Sequence, residues 1–253
     1  MIEVEFLGTG TSTGVPQLGC NCEVCRSADP HDNRLRCSAI VRTKGVNILI
    51  DCGPDFRQQM LRAFDMHLDA LLITHSHYDH VGGMDDLRPY CRGRNFPVYA
   101  QPNVLTDLKN RIPYCFAEHP YPGVPKFELH PLNGKPFVVN GVTVEPLLVM
   151  HYKLPIFGYR IGNMAYVTDA KTIPTDTLDR MRGLDTLIIN ALRMESHMSH
   201  MNLQETLAVI REVRPRRAYL IHESDGIGLH AETSRLLPAG VELAYDTEVV
   251  RVP

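Results

Sequence analysis

The sequence predicts an α/β protein in which two β-sheets pack face to face and helices cover their outer surfaces. Three observations support this fold class. Short apolar runs recur along the chain, amphipathic helical patterns lie between some of them, and no Ser/Gly-rich linker divides the 253 residues. Two successive blocks of strands, each with helices, suit such a layered arrangement. We therefore expect residues 1–253 to form a single domain.

Strand patterns begin at the N-terminus and continue to the end of the chain. In order they are VEFLGTG, SAIVRTKGVNILIDCG, LDALLITH, FPVYAQ, FVVNGVTVEPLLVMH, FGYRIGNMAYVTDA, LDTLIINA, RAYLIH and VELAYDTEVVRV. The second segment predicts a hairpin that turns at Lys44-Gly45. Helical patterns cover 55–65, 102–111, 174–182, 202–213 and 230–237. In the fourth of these, Asn202 is a candidate N-cap and Glu205 occupies the capping-box position.

Residues 110–136 fit neither pattern and contain six prolines. The segment is predicted to be either an irregular surface loop or a functional element, such as a lid or a dimer contact. A dimer contact here would make the protein a homodimer.

Charge and cysteine usage exclude several classes of protein. A net charge of −3 gives no general affinity for nucleic acid or for an anionic membrane, although Arg88, Arg92 and Arg94 form a local basic cluster. The N-terminal segment lacks the basic-then-apolar order of a signal peptide, and no apolar run approaches the roughly 18 residues of a membrane span. We therefore expect a cytoplasmic protein with no membrane partner, whose seven cysteines are reduced.

The segment LLITHSHYDHVGGMDDL, residues 71–87, concentrates titratable side chains directly after an apolar strand. If the chain turns from strand into loop after Ile73, His75, His77, Asp79 and His80 converge on one point. Imidazole and carboxylate groups are ligands for zinc, manganese or iron, and their density favours two ions. The alternative is a polar loop of solvated histidines.

Further ligands are expected at the ends of later strands, because one segment supplies too few for two ions. His151 closes EPLLVMH, Asp169 closes MAYVTDA and His222 closes RAYLIH. Each lies where an apolar strand ends, and the three come from well-separated parts of the chain. Together with the first cluster they predict a metal centre.

HxHxDH followed by single His, Asp and His residues at strand ends resembles the metallo-β-lactamase superfamily. The resemblance spans almost the whole chain and implies an αββα four-layer sandwich with two divalent ions, zinc or manganese, at the sheet edge. It assigns three ligands to the first ion: His75, His77 and His151. It assigns a second set to the other ion, with the last residue bridging: Asp79, His80, His222 and Asp169.

Cys20, Cys22 and Cys25 form CxCxxC, a spacing that suits three thiolates on a structural zinc ion. The alternative is three unrelated buried cysteines. This N-terminal pattern resembles the branch that contains the phosphoribosyl cyclic phosphodiesterase of the carbon–phosphorus lyase pathway, and a pyrroloquinoline-quinone biosynthesis protein has similar cysteines. In that branch the fourth ligand is a His three positions after the last active-site His. Here that position holds Asp225, so either Asp225 or His230 completes the predicted third metal site.

The segment ESHMSHMNLQE resembles the same branch and the tRNA 3′-processing nucleases, which have a non-ligand His just before a helix. The resemblance puts His200 at the catalytic position and makes His197 a candidate substrate-binding residue. His200 would protonate a leaving alkoxide or donate a hydrogen bond to a phosphoryl oxygen. The alternative is a pair of loop histidines without function.

The expected function is a dinuclear-metal-dependent phosphodiesterase. Two cations would lower the pKa of a bridging water, and the resulting hydroxide would attack phosphorus. Asp79 would orient the hydroxide and His200 would assist the leaving group. The expected substrate is a small or cyclic phosphodiester, such as a ribose or nucleotide cyclic phosphate.

Three other functions compete with this expectation. An RNA 3′-processing nuclease normally adds a long basic arm, and the sequence has no such arm. A thioester or lactone hydrolase uses the same metals without needing a His at position 200. A non-enzymatic accessory protein of cofactor biosynthesis would not need the complete ligand set.

Overall fold

The computed structural model describes residues 1–63 and 67–253. The strands are β1 (Ile2–Gly8), β2 (Ser38–Thr43), β3 (Val46–Ile50), β4 (Ala70–Leu72), β5 (Phe96–Ala100), β6 (Phe127–Pro131), β7 (Phe137–Val139), β8 (Val142–His151), β9 (Leu154–Ile161), β10 (Met164–Val167), β11 (Thr186–Asn190), β12 (Arg217–Ile221), β13 (Val241–Leu243) and β14 (Val249–Val252). The α-helices are α1 (Phe56–Ala63), α2 (Tyr78–Val81), α3 (Pro102–Arg111), α4 (Thr175–Met181), α5 (Leu203–Val213) and α6 (His230–Ser234).

The strands form two seven-stranded mixed sheets. The N-terminal sheet has the order β14-β1-β2-β3-β4-β5-β6, and the C-terminal sheet has the order β13-β12-β11-β10-β9-β8-β7. In each sheet an antiparallel part adjoins a parallel part, which runs from β3 to β6 in one and from β10 to β13 in the other. The predicted hairpin between β2 and β3 is confirmed, and its turn residues Lys44 and Gly45 both have positive φ.

Three layers of buried side chains separate the sheets and helices. Phe6, Tyr159 and Tyr166 belong to the core between the two sheets. Phe56 of α1 belongs to a second core, which α1 and α3 form with the outer face of the N-terminal sheet. Leu207 of α5 belongs to a third core, which α4 and α5 form with the outer face of the C-terminal sheet. This is the predicted helix–sheet–sheet–helix order.

Helix α5 shows how the sequence specifies a boundary. The Asn202 side chain accepts a hydrogen bond from the Glu205 N–H at 2.9 Å, and the Glu205 carboxylate accepts one from the Asn202 N–H at 2.9 Å. This capping box satisfies two N–H groups that the first turn leaves without helical partners. The predicted capping box is confirmed, and it fixes the point where the 191–202 loop enters the helix.

Two sequence predictions differ from the structure. The segment 110–136 is not irregular throughout, because 127–131 pair in parallel with β5 as strand β6. Its sequence, FELHP, combines apolar residues with a glutamate, a histidine and a proline, so the sequence patterns did not identify this half-buried edge strand. The predicted helix 230–237 ends earlier, at Ser234. The predicted helix 55–65 is present as α1, and residues 64 and 65 lie outside the described residues.

Within residues 1–63 and 67–253, every helix is too short or too polar to cross a membrane.

Candidate metal centre

The predicted site residues lie at the ends of strands, where the backbone turns sharply. Asp169 follows β10 and has a φ of +57°, and His222 follows β12 with the same φ. Asp51, which follows β3, has a φ of +59°. Left-handed backbone is uncommon for non-glycine residues and is typical of functional sites. In all three cases a side chain is placed beyond the edge of its sheet.

The segment after β4 folds back on itself through the short helix α2. His75 and His77 precede this helix, whereas Asp79 and His80 lie within it. The turn requires glycine, because a Cβ on Gly83 would lie 2.1 Å from the Gly53 carbonyl oxygen. The backbone therefore passes too close to the 51–53 segment at this point for any side chain to fit.

Two groups of candidate ligands result, and each has its donor atoms within 4.8 Å of one another. The first contains His75, His77 and His151. The second contains Asp79, His80, Asp169 and His222. The structure therefore brings together all seven candidate ligands, in the two sets that the resemblance implies.

Asp169 lies between the two groups. Its carboxylate is 3.3 Å from His80 Nε2 and 3.1 Å from His222 Nε2. Its carboxylate also lies within 4.8 Å of donor atoms of His151 and His200. A carboxylate in this position can contact ions in both groups, as the bridging role requires.

Unpaired ring nitrogens show that the groups suit divalent metal ions. His75 Nε2, His80 Nε2 and both ring nitrogens of His222 are buried and make no hydrogen bond of good geometry to the described residues, although carboxylate oxygens lie 3.1–3.3 Å from His80 Nε2 and His222 Nε2. Unsatisfied buried polar atoms are rare in folded proteins. Neutral imidazole nitrogens beside carboxylates are a suitable donor set for such an ion, which would satisfy these atoms.

Asp51 controls the protonation of two of these histidines, and sequence reasoning missed it. His80 Nδ1 lies 2.7 Å from Asp51 Oδ2, and the Thr74 hydroxyl donates to the same oxygen at 2.8 Å. The Thr74 oxygen therefore accepts from His75 Nδ1, 3.0 Å away. Both rings then carry their proton on Nδ1 and direct a lone pair on Nε2 into the groups. The missed signal is a polar residue that follows the apolar run VNILI.

His151 is oriented in the same way. Its Nδ1 donates to the Ser199 carbonyl oxygen at 2.9 Å, which leaves the Nε2 lone pair available. Such hydrogen bonds from the second ring nitrogen are typical of metal-binding histidines.

The electrostatics of the second group favour cations. Burial alone would lower the pKa of His80, but the carboxylates of Asp79 and Asp169 outweigh it and raise that pKa well above its ordinary value. Burial raises the pKa of Asp169, but His222 and His80 reverse the effect and hold it well below its usual range. When no ion is bound, a proton on His80 balances the negative charge that a metal cation would otherwise balance.

His200 and His197 lie beside the two groups. The ring centroids of His200 and His151 are 4.6 Å apart, and those of His200 and His222 are 4.9 Å apart. Burial lowers the pKa of His200 to about 3, against the opposing effect of Asp169. The ring is therefore neutral near pH 7. With His151 and Asp169 it also forms a third potential ligand group, so geometry alone allows His200 a place as ligand.

The three cysteines converge on Asp225. Its Oδ2 lies 3.5 Å from Cys20 Sγ, 3.4 Å from Cys22 Sγ and 4.0 Å from Cys25 Sγ. A tetrahedral zinc ion with bonds of about 2.3 Å to sulfur and 2.0 Å to oxygen separates such atoms by about 3.5 Å. The four side chains thus have nearly the spacing of a structural zinc site.

His230 does not join this group, so the structure decides against it as the fourth ligand. It begins α6, and its ring stacks on His31 with centroids 5.0 Å apart. Its Nδ1 lies 3.2 Å from the Arg34 guanidinium. It lies five residues beyond Asp225 and contacts His31 and Arg34 rather than the cysteines.

Comparison with known proteins gives the class to which this fold and site belong. A family model described as the beta-lactamase superfamily domain matches residues 46–222. A solved structure of a new diphosphatase from the PhnP family is 38% identical, with a TM-score of 0.92 over 98% of this chain and 96% of that chain. The chain therefore belongs to the beta-lactamase superfamily, and within it to the branch of the PhnP family. The predicted αββα fold is confirmed.

Two curated relatives are also similar. An octanoyltransferase of Porphyromonas gingivalis is 46% identical over 244 residues, which are 95% of this chain but 50% of that protein. This chain thus spans about half the length of that relative. A coenzyme PQQ synthesis protein B of Methylorubrum extorquens is 33% identical over 229 residues, covering 77% of this chain and 74% of that protein. The fold, the family and the grouped donors together support a metal-binding hydrolase.

Proposed function

We propose that the chain hydrolyses small or cyclic phosphodiesters with two divalent ions, zinc or manganese, in the adjoining groups. The observation that carries the proposal is the position of Asp169 between them, with buried imidazole nitrogens that make no hydrogen bond on both sides. His75, His77 and His151 would hold one ion, and Asp79, His80 and His222 the other. Two such ions supply a water of lowered pKa and stabilise the attacking and leaving oxygens of an in-line displacement.

His200 would act on the leaving group or on a phosphoryl oxygen. Its low pKa favours the neutral ring, which donates a hydrogen bond through whichever nitrogen carries the proton. A substrate anion beside the ring would raise that pKa and let His200 release a proton to a departing alkoxide. A thiolate leaving group needs no such proton, so this residue favours esters of phosphate over thioesters.

His197 would bind a substrate oxygen. Its Nδ1 accepts hydrogen bonds from the N–H and the hydroxyl of Ser199, both at 3.3 Å, so the proton lies on Nε2. Burial and the nearby cations Arg193 and Lys171 lower the pKa of His197. The same two cations would attract an anionic substrate to this side of the centre.

A diphosphate is a second candidate substrate, because the relative that is 38% identical is described as a diphosphatase. Cleavage of a P–O–P link is also an in-line displacement at phosphorus, so the same groups would serve it. The net charge of −3 disfavours a tRNA precursor, since nuclease binding depends on many cation–phosphate contacts.

Turnover of a panel of substrates by the zinc- or manganese-loaded protein tests the proposal. The panel contains bis-p-nitrophenyl phosphate, a 2′,3′-cyclic nucleotide, a ribose cyclic phosphate, a dinucleoside diphosphate, a thioester and a tRNA precursor. We expect hydrolysis of at least one small diester, with little dependence on salt. Efficient precursor cleavage, or thioester turnover far above that of every phosphate compound, would overturn the proposal. Turnover of the diphosphate alone would select the second candidate.

A further inference from the structure

A cavity of about 640 Å³ lies between the 3-10 helix Met84–Cys91 and the proline-containing segment before β6. Four cationic side chains line it: Arg88, Arg92, Arg94 and Lys126. No acidic residue is among the described residues that line it. We call it the cationic cavity. Three of its cations are the local basic cluster of the sequence, and the fourth comes from segment 110–136.

The cationic cavity lies at the opposite end of the N-terminal sheet from the metal centre. Strands β4, β5 and β6 are parallel, and His75 follows the C-terminal end of β4. Asn95 and Lys126 instead precede the N-terminal ends of β5 and β6, where the Phe96 N–H donates to the Lys126 carbonyl at 2.8 Å. Five residues of strand span about 16 Å. The cavity is therefore separate from the site of the proposed reaction.

Two of the four cations are fixed by the fold. The Arg94 guanidinium donates to the Tyr90 carbonyl at 3.1 Å and to the Leu68 carbonyl, and it lies 5.2 Å from the centroid of the Phe96 ring. Arg88 pairs with the Asp85 carboxylate at 2.8 Å, which offsets part of its charge.

The other two cations are available to a ligand. The side chains of Arg92 and Lys126 are exposed, and neither has a hydrogen bond or ion pair to the described residues. The cavity thus combines a preorganised Arg94 with two cations that have no protein partner among those residues. Such a concentration of positive charge, in a chain of net charge −3, favours the binding of an anion.

We propose that the cationic cavity binds a small ligand with several phosphate groups, such as inorganic triphosphate or a nucleoside triphosphate. Guanidinium groups match the geometry of phosphate oxygens, and the cavity volume is typical of small-molecule sites, which span about 300–1,000 Å³. A nucleic acid would instead need a longer basic surface that follows its backbone. The inference is independent of the proposed hydrolysis.

Calorimetric titration of the metal-loaded full chain with inorganic triphosphate, and in parallel with ATP, tests this inference. We expect saturable binding that the double variant Arg92→Gln/Lys126→Gln weakens by about 10-fold or more, because each cation contributes charge-assisted hydrogen bonds. The double variant Arg57→Gln/Arg235→Gln is the matched control, since it removes the same charge from exposed residues outside the cavity. It should bind as the wild type does.

We call Arg92→Gln/Lys126→Gln the cavity variant. Triphosphate or ATP that binds at the metal centre would still bind to the cavity variant, which distinguishes that site from the cationic cavity. Equal affinities for triphosphate and ATP would assign recognition to the phosphates, and tighter ATP binding would assign part of it to the nucleoside. Absence of saturable binding, or equal binding by the cavity variant and the wild type, overturns the inference. So does binding of an RNA oligonucleotide without binding of triphosphate. If the cavity variant has the same thermal unfolding midpoint as the wild type, its loss of binding is not caused by a loss of folding.

Discussion

Asp51→Asn should change the protonation of histidines in the metal centre while it preserves the shape of the centre. In the wild type, Asp51 Oδ2 accepts from His80 Nδ1 at 2.7 Å and from the Thr74 hydroxyl at 2.8 Å, while Oδ1 accepts from the Thr74 N–H at 2.8 Å. An asparagine keeps its carbonyl towards the Thr74 N–H and turns its NH₂ group to His80 and to the hydroxyl. His80 must then accept at Nδ1, so its proton moves to Nε2.

The substitution affects one histidine in each of the two ligand groups. A Thr74 hydroxyl that accepts from the new amide is free to donate to His75 Nδ1. His75 Nδ1 then accepts a hydrogen bond instead of donating one, so the His75 proton also moves to Nε2. One ligand in each group thus loses the lone pair that would bind an ion. Changes in such outer partners typically reduce metal affinity or activity by about 10- to 100-fold, or about 1.4–2.7 kcal/mol.

Chelator competition measures the affinity directly, and unfolding of the metal-free protein provides the second measurement. Asparagine keeps the size of the Asp51 side chain and its hydrogen bond from the Thr74 N–H, so unfolding of the metal-free variant shows whether a loss of affinity is a loss of folding. Asp246→Asn is a matched control, because Asp246 is also buried but its carboxylate contacts Thr9, Leu35 and the Arg62 guanidinium rather than a histidine. Wild-type affinity in Asp51→Asn, or an equal loss in Asp246→Asn, would refute the reasoning.

Three further outcomes are expected. Cys22→Ser and Asp225→Ala should each remove one bound ion and lower the unfolding midpoint, whereas His230→Asn should keep that ion; elemental analysis checks this. His200→Ala should keep its metals yet lose about 10²–10⁴-fold in turnover, and metal loss would make His200 a ligand. Burial and Arg34 lower the folded pKa of His230 to about 4, below the ordinary value of about 6.5. Its contribution to stability is therefore present above pH 6.5 and lost towards pH 4, so denaturant unfolding should show a smaller difference between pH 7 and pH 5 in His230→Asn than in the wild type.

The sequence by itself determined the features that depend on near neighbours in the chain. Alternation and apolar runs located most strands, Lys44-Gly45 located a hairpin turn, and the capping box of Asn202 and Glu205 set the start of α5. Residue chemistry at strand ends also identified the seven candidate ligands, because a polar side chain directly after a buried strand lies at a sheet edge whatever the topology is. Their division into two groups came from the resemblance to the superfamily.

Only the tertiary structure decided which distant groups meet. Asp225 and His230 follow His222 by three and eight residues, and no local pattern distinguishes them. The choice comes from the 3-10 turn at Asp225–Ile227 and from the stacking of His230 on His31. The link from Asp51 through Thr74 to His75 likewise depends on β3 and β4 being parallel neighbours.

The cationic cavity depends on the pairing of β6 beside β5, which brings Lys126 next to the arginines. Contacts between residues far apart in the chain are set by packing of whole sheets, which local periodicity does not encode.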